Sequence, residues 1–250
     1  MTAVLETRDL AKNFGGITAA NGITLSVNAG ARHALIGPNG AGKTTLVNLF
    51  TGALRPTRGE ILLDGTDITH LPQYRRVKRG LVRTFQVSQL FPGLTPLESV
   101  ALAIAERKGI AWRWWRPFGR EAGLFDEAAQ LLDELGLLDC ATGLTSRLPY
   151  GRQRLIEIAL ALALKPRVLL LDEPAAGVPR DESVELFSRI ASLPRDVTVL
   201  LIEHDMDIVF RFAERITVMV NGGVLVDDVP EKVAADPRVR EVYLGEAGHG

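Results

Sequence analysis

Short apolar runs alternate with amphipathic segments along most of the chain, and this pattern predicts an α/β fold. Five runs rich in β-branched and apolar residues predict strands: ITLSV at 23–27, HALIG at 33–37, VLLLD at 168–172, VTVLLI at 197–202 and ITVMV at 216–220. Helical patterns separate these runs, which favours a largely parallel sheet covered by helices.

The pattern changes between Leu94 and Leu164, where strand-like runs disappear. The segment FDEAAQLLDELG carries apolar residues at helical spacing with acids on the opposite face. These apolar residues are Phe125, Ala128, Leu132 and Leu135. We therefore expect an all-helical lobe inserted into the α/β core.

Composition narrows the class of protein without identifying it. The chain has 250 residues, enough for one large domain or a domain with a lobe. Its 29 basic and 30 acidic side chains do not predict a field that attracts nucleic acid. Cys140, the single cysteine, cannot form an internal disulfide. No signal segment or membrane-spanning run is predicted, so we expect a cytoplasmic protein unless a membrane partner holds it.

The stretch HALIGPNGAGKTTLVNLF carries the first chemical signal. A predicted strand ends at Ile36, and GPNGAGKT fits the pattern G-x-x-x-x-G-K-[ST] before an apolar-periodic helix. Glycines let backbone N–H groups wrap a phosphate chain, while Lys43 reaches the β- and γ-phosphates and the Thr44 hydroxyl ligates Mg²⁺. The predicted phosphate-binding residues are Gly37, Pro38, Asn39, Gly40, Ala41, Gly42, Lys43, Thr44 and Thr45.

Two carboxylates end the apolar run VLLLDEP. Buried acids at a strand end are costly without a cation. We therefore expect Asp172 to hold Mg²⁺ through water, and Glu173 to polarise a water molecule against the γ-phosphate.

Two further side chains give weaker signals. LLIEHD leaves His204 just past a predicted strand, where an imidazole can bond a γ-phosphate oxygen, although a lone histidine is more often only solvated or satisfied. LVRTFQ ends in Gln86, a neutral side chain able to touch both Mg²⁺ and the attacking water. Neither residue decides a function alone.

Together these motifs resemble the ATP-binding cassette of ABC transporters over nearly the whole chain. IGPNGAGKTT matches the Walker A loop, Gln86 the Q-loop glutamine, LPYGRQR the signature usually written LSGGQ, VLLLDEP the Walker B strand with its catalytic glutamate, AAGVP the D-loop and His204 the switch histidine. The resemblance implies an ATPase that uses ATP and Mg²⁺. It also implies a P-loop core with an antiparallel β subdomain and an inserted α-helical subdomain.

The same resemblance assigns Phe14, in KNFGG, to the aromatic that stacks on adenine. Packing in the core is the alternative for this residue. The implied domains are 1–93, the first part of the ATP-binding core; 94–164, the helical subdomain with the signature; and 165–250, the second part of the core and the C-terminal tail.

In the family, the signature turn docks against the γ-phosphate of ATP held by a second cassette. The resemblance therefore gives Tyr150, Gly151 and Arg152 a role in the partner's site, through backbone N–H groups and a helix N-terminus. Arg152 and Arg154 are expected to add positive charge there. Two residues depart from the family pattern at this implied interface: Pro149 replaces the signature serine, and Pro179 replaces the usual Asp or Asn of the D-loop.

Finer details resemble the ATPases of branched-chain or hydrophobic amino-acid uptake systems. These are RTFQVSQLFPGLTPLESVALA, the insert from about Gly109 to Gly123, the YG form of the signature, LLIEHDMDIV and VYLGEA. The resemblance implies a second homologous ATPase or a second copy, membrane permeases and, indirectly, an external solute-binding protein. It places the chain at the cytoplasmic face of the membrane as a peripheral protein that binds no nucleic acid.

Several alternatives stay open from the sequence. A soluble ABC-type mechanochemical ATPase usually carries a coiled-coil insert or a second cassette, and an ABC ATPase for a lipid or another solute shares the same motifs. A P-loop GTPase or a small-molecule kinase predicts an N-K-x-D motif or a mobile lid, and no N-K-x-D occurs. The basic segment QYRRVKRGLVR at 73–83 favours a solvated helix face. WRWWRPFGR at 112–120 fits either a membrane or partner contact or packing on the lobe.

Overall fold

A computed structural model of the protein describes residues 2–84, 90–110 and 123–246. Within these ranges the chain forms ten strands and nine α-helices. In chain order they are β1 (Ala3–Phe14), β2 (Ile17–Asn28), β3 (Arg32–Ile36), α1 (Lys43–Thr51), β4 (Arg58–Leu63), β5 (Thr66–Asp67), α2 (Gln73–Lys78), β6 (Leu81–Arg83), α3 (Pro96–Arg107), α4 (Leu124–Glu134), α5 (Tyr150–Ala163), β7 (Val168–Asp172), α6 (Arg180–Ala191), β8 (Thr198–Ile202), α7 (Met206–Phe212), β9 (Arg215–Val220), β10 (Gly223–Asp228), α8 (Pro230–Ala235) and α9 (Pro237–Glu246).

The chain divides into two compact units. Unit 1 contains Met1–Arg83, Arg167–Glu173 and Pro194–Gly250, and unit 2 contains Thr84–Pro166 and Pro174–Leu193. Every strand named above belongs to unit 1.

Unit 1 is built on two sheets. The six-stranded sheet has the order β10-β9-β3-β8-β7-β6 and is parallel except for β10, which runs antiparallel to β9. Its inner strands β3, β7 and β8 are buried along their whole length, as their continuous apolar runs predict. The four-stranded sheet, β2-β1-β4-β5, is antiparallel. The α/β class and the antiparallel β subdomain are thus confirmed.

The sequence analysis groups the run ITLSV with the strands of the parallel sheet. The structure corrects this, because ITLSV lies in β2 of the antiparallel sheet. Ile23, Leu25 and Val27 are buried, whereas Thr24 and Ser26 between them are exposed. This alternation is typical of a sheet with one covered face. A run of five residues does not show which kind of sheet its strand joins.

Unit 2 is helical in the part of the chain described. The helix α3 begins with a capping box, in which Thr95 and Glu98 satisfy each other's backbone N–H groups, followed by Pro96 in the first turn. Ala128 and Leu132 of α4 are fully buried, which agrees with the predicted apolar face. The predicted helical lobe is confirmed. Helix α6 joins the same unit by packing on α5, and the domain bounds inferred from sequence stay a prediction.

A buried arginine holds the carboxyl-terminal end of α1, the helix that follows the glycine-rich loop. Arg76 is 1% exposed and donates to the carbonyl oxygens of Leu49 at 2.6 Å and Phe50 at 2.7 Å, both in the last turn of α1. It also donates to Leu71 O and Thr69 O. Burial lowers the pKa of Arg76 to about 10, so the guanidinium remains charged at neutral pH. A cation in this position also offsets the helix dipole.

We predict that Arg76→Met lowers the free energy of unfolding by about 3–5 kcal/mol, because buried carbonyl groups lose their donor and the helix loses its terminal cation. Chemical denaturation followed by circular dichroism measures the change. Arg75→Met is the matched control on the same helix, where the side chain is exposed and the expected loss is about 0.5 kcal/mol or less. Equal losses in the two variants would contradict this role for Arg76.

Candidate active site

The parallel strands bring the sequence-predicted residues of unit 1 to one edge of the sheet. Ile202 of β8 is in register with Leu35 of β3 and with Asp172 of β7. Since these strands run in the same direction, the segments that follow them emerge at the same edge. The glycine-rich loop beginning at Gly37 and the acidic residues Asp172 and Glu173 therefore lie at the same edge of the sheet.

The loop takes its shape from glycines with positive φ angles. Gly37 has φ 150° and Gly42 has φ 100°. A Cβ atom on Gly37 would collide with the Met219 carbonyl oxygen, and one on Gly42 with the Ala19 carbonyl oxygen. Side chains are thus excluded at both positions. Of the residues between them, Asn39 and Gly40 are exposed, Pro38 is half-buried and Ala41 is buried.

Helix α1 begins at Lys43, directly after this loop. The first-turn amides of a helix lack intrahelical partners and point out of its N-terminus, which favours an anion there. The Lys43 Nζ atom donates to Gly37 O at 2.5 Å and to Pro38 O at 2.9 Å, so the side chain lies along the loop. Thr44 is exposed and Thr45 half-buried in the same turn.

Asp172 is buried at the end of β7 and is paired with Arg83, which belongs to the basic segment 73–83 for which the sequence analysis favours a solvated helix face. The Arg83 Nη2 atom donates to Asp172 Oδ2 at 2.5 Å, and its Nη1 atom donates to Asn48 Oδ1 of α1 at 2.8 Å. The side chains are 15% and 4% exposed, so the pair is largely removed from solvent. Arg83 therefore links the carboxylate of β7 to the helix after the glycine-rich loop.

The next residue, Glu173, has a backbone conformation that is uncommon outside glycine. Its φ angle is 48°, and its N–H donates to Ile202 O at 2.9 Å, which fixes this turn against β8. Non-glycine residues with such angles cost free energy and concentrate at functional sites. The side chain is 34% exposed, so it is only partly removed from solvent.

The structure places two of the sequence-predicted residues, His204 and Glu173, close together. The His204 Nδ1 atom is 4.0 Å from Glu173 Oε1 and 3.8 Å from Oε2 of Glu203, a buried carboxylate that the sequence analysis did not single out. The imidazole is 70% exposed. The His204 imidazole therefore lies next to the Glu173 carboxylate, and most of the imidazole surface is accessible to a ligand.

The remaining predicted residues of the nucleotide site fall into two cases. Phe14, at the end of β1, is 46% exposed, with the Lys12 ammonium 5.0 Å from the ring centroid. Core packing is therefore the wrong interpretation of Phe14, and its adenine contact stays a prediction. Gln86 lies outside the described residues, as does the segment 112–120, so the catalytic and metal roles of Gln86 stay predictions.

In unit 2, the signature turn begins α5. Pro149 is the N-cap, with φ −51° and no side-chain cap hydrogen bond. The backbone N–H of Gly151 donates to Glu182 Oε2 of α6 at 2.7 Å. Pro179 is likewise an N-cap, that of α6, where its carbonyl oxygen accepts from Ser183 N. Both departures from the family pattern therefore stand at helix starts that accommodate proline.

The two signature arginines are each paired with a carboxylate. Arg152 donates to both oxygens of Asp139, at 2.8 and 2.7 Å, and these hydrogen bonds raise the Arg152 pKa and lower the Asp139 pKa. Arg154 is 4% exposed, bonded to Glu157 and Tyr150, with its guanidinium 4.9 Å from the Tyr150 ring centroid. The sequence analysis expects Arg154 to add positive charge near the signature turn, but the structure buries this side chain and pairs it with Glu157.

Family models match two parts of the chain. Residues 20–176, well over half of it, match the model described as ABC transporter. This chain belongs to the ABC transporter family. Membership confirms the predicted enzyme class, an ATP-binding ATPase. Residues 224–249 match a second model, described as branched-chain amino acid ATP-binding cassette transporter.

Individual relatives agree with this assignment. The chain is 41% identical to the high-affinity branched-chain amino acid transport ATP-binding protein BraF of Pseudomonas aeruginosa and 40% identical to LivG of Escherichia coli K12, covering 98% of both chains in each case. The solved ADP conformation of the cassette MJ1267 superposes with a TM-score of 0.86 at 31% identity, over 98% of this chain and 100% of that one. Among the helices described for this chain, none is long and apolar enough to cross a membrane.

We predict that Arg83→Leu lowers the free energy of unfolding by about 3–5 kcal/mol, because it leaves the buried Asp172 carboxylate without its cation. The matched control is Arg167→Leu, which removes an exposed arginine paired with Asp64 in the same unit and should cost about 1 kcal/mol or less. Combining Arg83→Leu with Asp172→Asn should recover part of the loss, measured by urea denaturation. No recovery would mean that the pair is not coupled.

Proposed function

We propose that this chain hydrolyses ATP to drive a membrane importer of branched-chain amino acids or related hydrophobic solutes. The supporting observation is that similarity to proteins named for this transport runs through 98% of both chains and includes the C-terminal match at 224–249. In this proposal the chain is peripheral, at the cytoplasmic face, and binds permease subunits and a second homologous ATPase or a second copy of itself. The external binding protein acts on it only indirectly.

ATP would bind at the edge formed by the glycine-rich loop. The loop amides and the first turn of α1 suit the phosphate oxygens. Lys43, the first residue of α1, donates to the carbonyl oxygens of Gly37 and Pro38 and would pair with the phosphate charge. Thr44 and Asp172 offer the hard oxygen ligands that suit Mg²⁺, and Asp172 already balances a cationic group. When bound, Mg²⁺ neutralises charge on the β- and γ-phosphate oxygens.

Hydrolysis would depend on Glu173 and His204. As water attacks the γ-phosphorus and the bond to the β–γ bridging oxygen breaks, the Glu173 carboxylate accepts the proton of the water. The neighbouring imidazole hydrogen-bonds a γ-phosphate oxygen. Gln86 is proposed to orient the water, and the first turn of α5, around Gly151, to meet the γ-phosphate held by the partner cassette.

We predict that Glu173→Gln keeps ATP binding but slows hydrolysis by roughly 10²-fold or more, because an amide cannot accept the proton of the water. Lys43→Ala should instead weaken ATP binding itself. Calorimetry measures binding, and phosphate release measures turnover, with the permease and partner ATPase present. Glu60→Gln, which removes an exposed carboxylate of the same unit, is the matched control and should change neither quantity.

The same variants test the solute when leucine uptake is measured in the native host. Cells carrying Glu173→Gln should lose leucine uptake, and cells carrying Glu60→Gln should retain it. Full ATPase activity in Glu173→Gln would remove this residue from the mechanism. Lost ATPase activity with unchanged leucine uptake would assign the chain to another solute, such as a lipid.

Pro149 leads to a proposal about the partner. A serine in this position offers a hydroxyl and a backbone N–H to the partner's γ-phosphate, and proline offers neither. Each missing hydrogen bond to a charged group is worth about 1.5–3 kcal/mol. A homodimer would carry the loss in both sites. We therefore propose that the working unit is a heterodimer in which the site closed by this signature is the weaker one.

We predict that Pro149→Ser tightens ATP-driven association with the partner ATPase, measured by light scattering with hydrolysis blocked. Pro72→Ser is the control, because Pro72 is also an N-cap without a side-chain cap, but at α2 in unit 1. Tight ATP-bound homodimers of the unaltered chain, with no gain from the serine, would refute the heterodimer proposal.

A further inference from the structure

A carboxylate of the same chain already occupies the signature amide. Gly151 N donates to Glu182 Oε2 at 2.7 Å. The approach is close enough to exclude a side chain at position 151, because a Cβ atom there would lie 2.5 Å from Glu182 Oε2 and 2.9 Å from Glu182 Cβ. The glycine therefore permits this contact within the chain, in addition to any contact that it makes with a partner.

Two helix N-termini favour an anion at this point. Glu182 belongs to the first turn of α6, and its oxygen reaches the first turn of α5. Because Pro149 gives α5 no side-chain cap, the carboxylate of Glu182 supplies the anionic group that the helix start otherwise lacks. A phosphate oxygen that approaches the same N–H meets a group of the same chemical kind already bound.

Both signature arginines have a carboxylate partner other than Glu182. Arg152 forms its ion pair with Asp139, and Arg154 forms its ion pair with Glu157. The Glu182 carboxylate therefore places a negative charge directly at the Gly151 amide. An incoming phosphate competes for the amide hydrogen and is also repelled by the carboxylate.

We propose that Glu182 is an intramolecular competitor of the partner's γ-phosphate, and that its carboxylate must leave Gly151 before the signature can close the partner's site. This inference rests on the proposed function, in which the first turn of α5 meets that phosphate. Glu182 thereby sets the ATP concentration at which the two cassettes associate. It holds the start of α5 in place when they are apart.

A purely structural cap and a competitor predict changes of different kinds. Glu182→Gln keeps the size of the side chain and one acceptor oxygen, but it removes the charge and weakens the hydrogen bond. Either role predicts a small fall in thermal stability. Only competition predicts that nucleotide-driven association becomes stronger while stability falls.

The experiment uses the full chain with its partner ATPase, in a Glu173→Gln background that blocks hydrolysis. Sedimentation velocity across an ATP titration should show association roughly tenfold tighter in Glu182→Gln. Hydrogen exchange of the peptide containing Gly151 should be faster than in the parent without ATP and slowed again by ATP. Asp181→Asn is the matched control, since it removes an exposed charge from the same first turn of α6 and should leave association unchanged.

The outcomes separate this inference from the proposed function. If the parent associates with ATP and Glu182→Gln equals it, Glu182 is only a cap and the inference fails alone. If Glu182→Gln associates more weakly, the carboxylate positions the signature and competition is refuted. If neither the parent nor Pro149→Ser associates with ATP, the shared ATP site itself is refuted, and with it the proposal built on it.

Discussion

The charge of Asp172, buried at the end of β7, is the constraint on which the arrangement of the site depends. A buried carboxylate requires a cationic or hydrogen-bonding partner, and Arg83 is that partner for Asp172 while also bonding Asn48 of α1. A second buried arginine, Arg76, binds the last carbonyl groups of the same helix. Two cations thus fix α1 to its surroundings, which holds the glycine-rich loop before it in register with the acidic strand end.

Local order along the chain explains what the sequence predicts well. A strand, a glycine-rich loop and a helix follow one another within about 20 residues, and the backbone chemistry of such a segment leaves few alternatives to a phosphate-binding loop. Parallel strands then bring Glu173 and His204 together, because Glu173 directly follows β7 and His204 lies two residues past the end of the adjacent strand β8. The strand ITLSV was assigned to the wrong sheet because a short apolar run does not indicate which strand it pairs with.

Arg83 and Glu182, whose roles the sequence analysis did not predict, each act through a contact that is distant along the chain. Arg83 and Asp172 are 89 positions apart, and Gly151 and Glu182 are 31 apart. An arginine in a strand and a glutamate early in a helix are ordinary in themselves. One signal was available for Arg83: a buried aspartate demands a cationic or hydrogen-bonding partner, and a basic residue ending a neighbouring strand is a candidate.

The left-handed backbone at Glu173 has a consequence for screening variants. A non-glycine residue there costs about 1–2 kcal/mol, and glycine would avoid this cost while losing about 0.5–1 kcal/mol through its freedom in the unfolded chain. Replacing the glutamate with glycine should therefore be nearly neutral for folding. Selection for expression, solubility or heat resistance would therefore retain variants that lack the proposed catalytic group. Such a selection does not report on ATP turnover at this position.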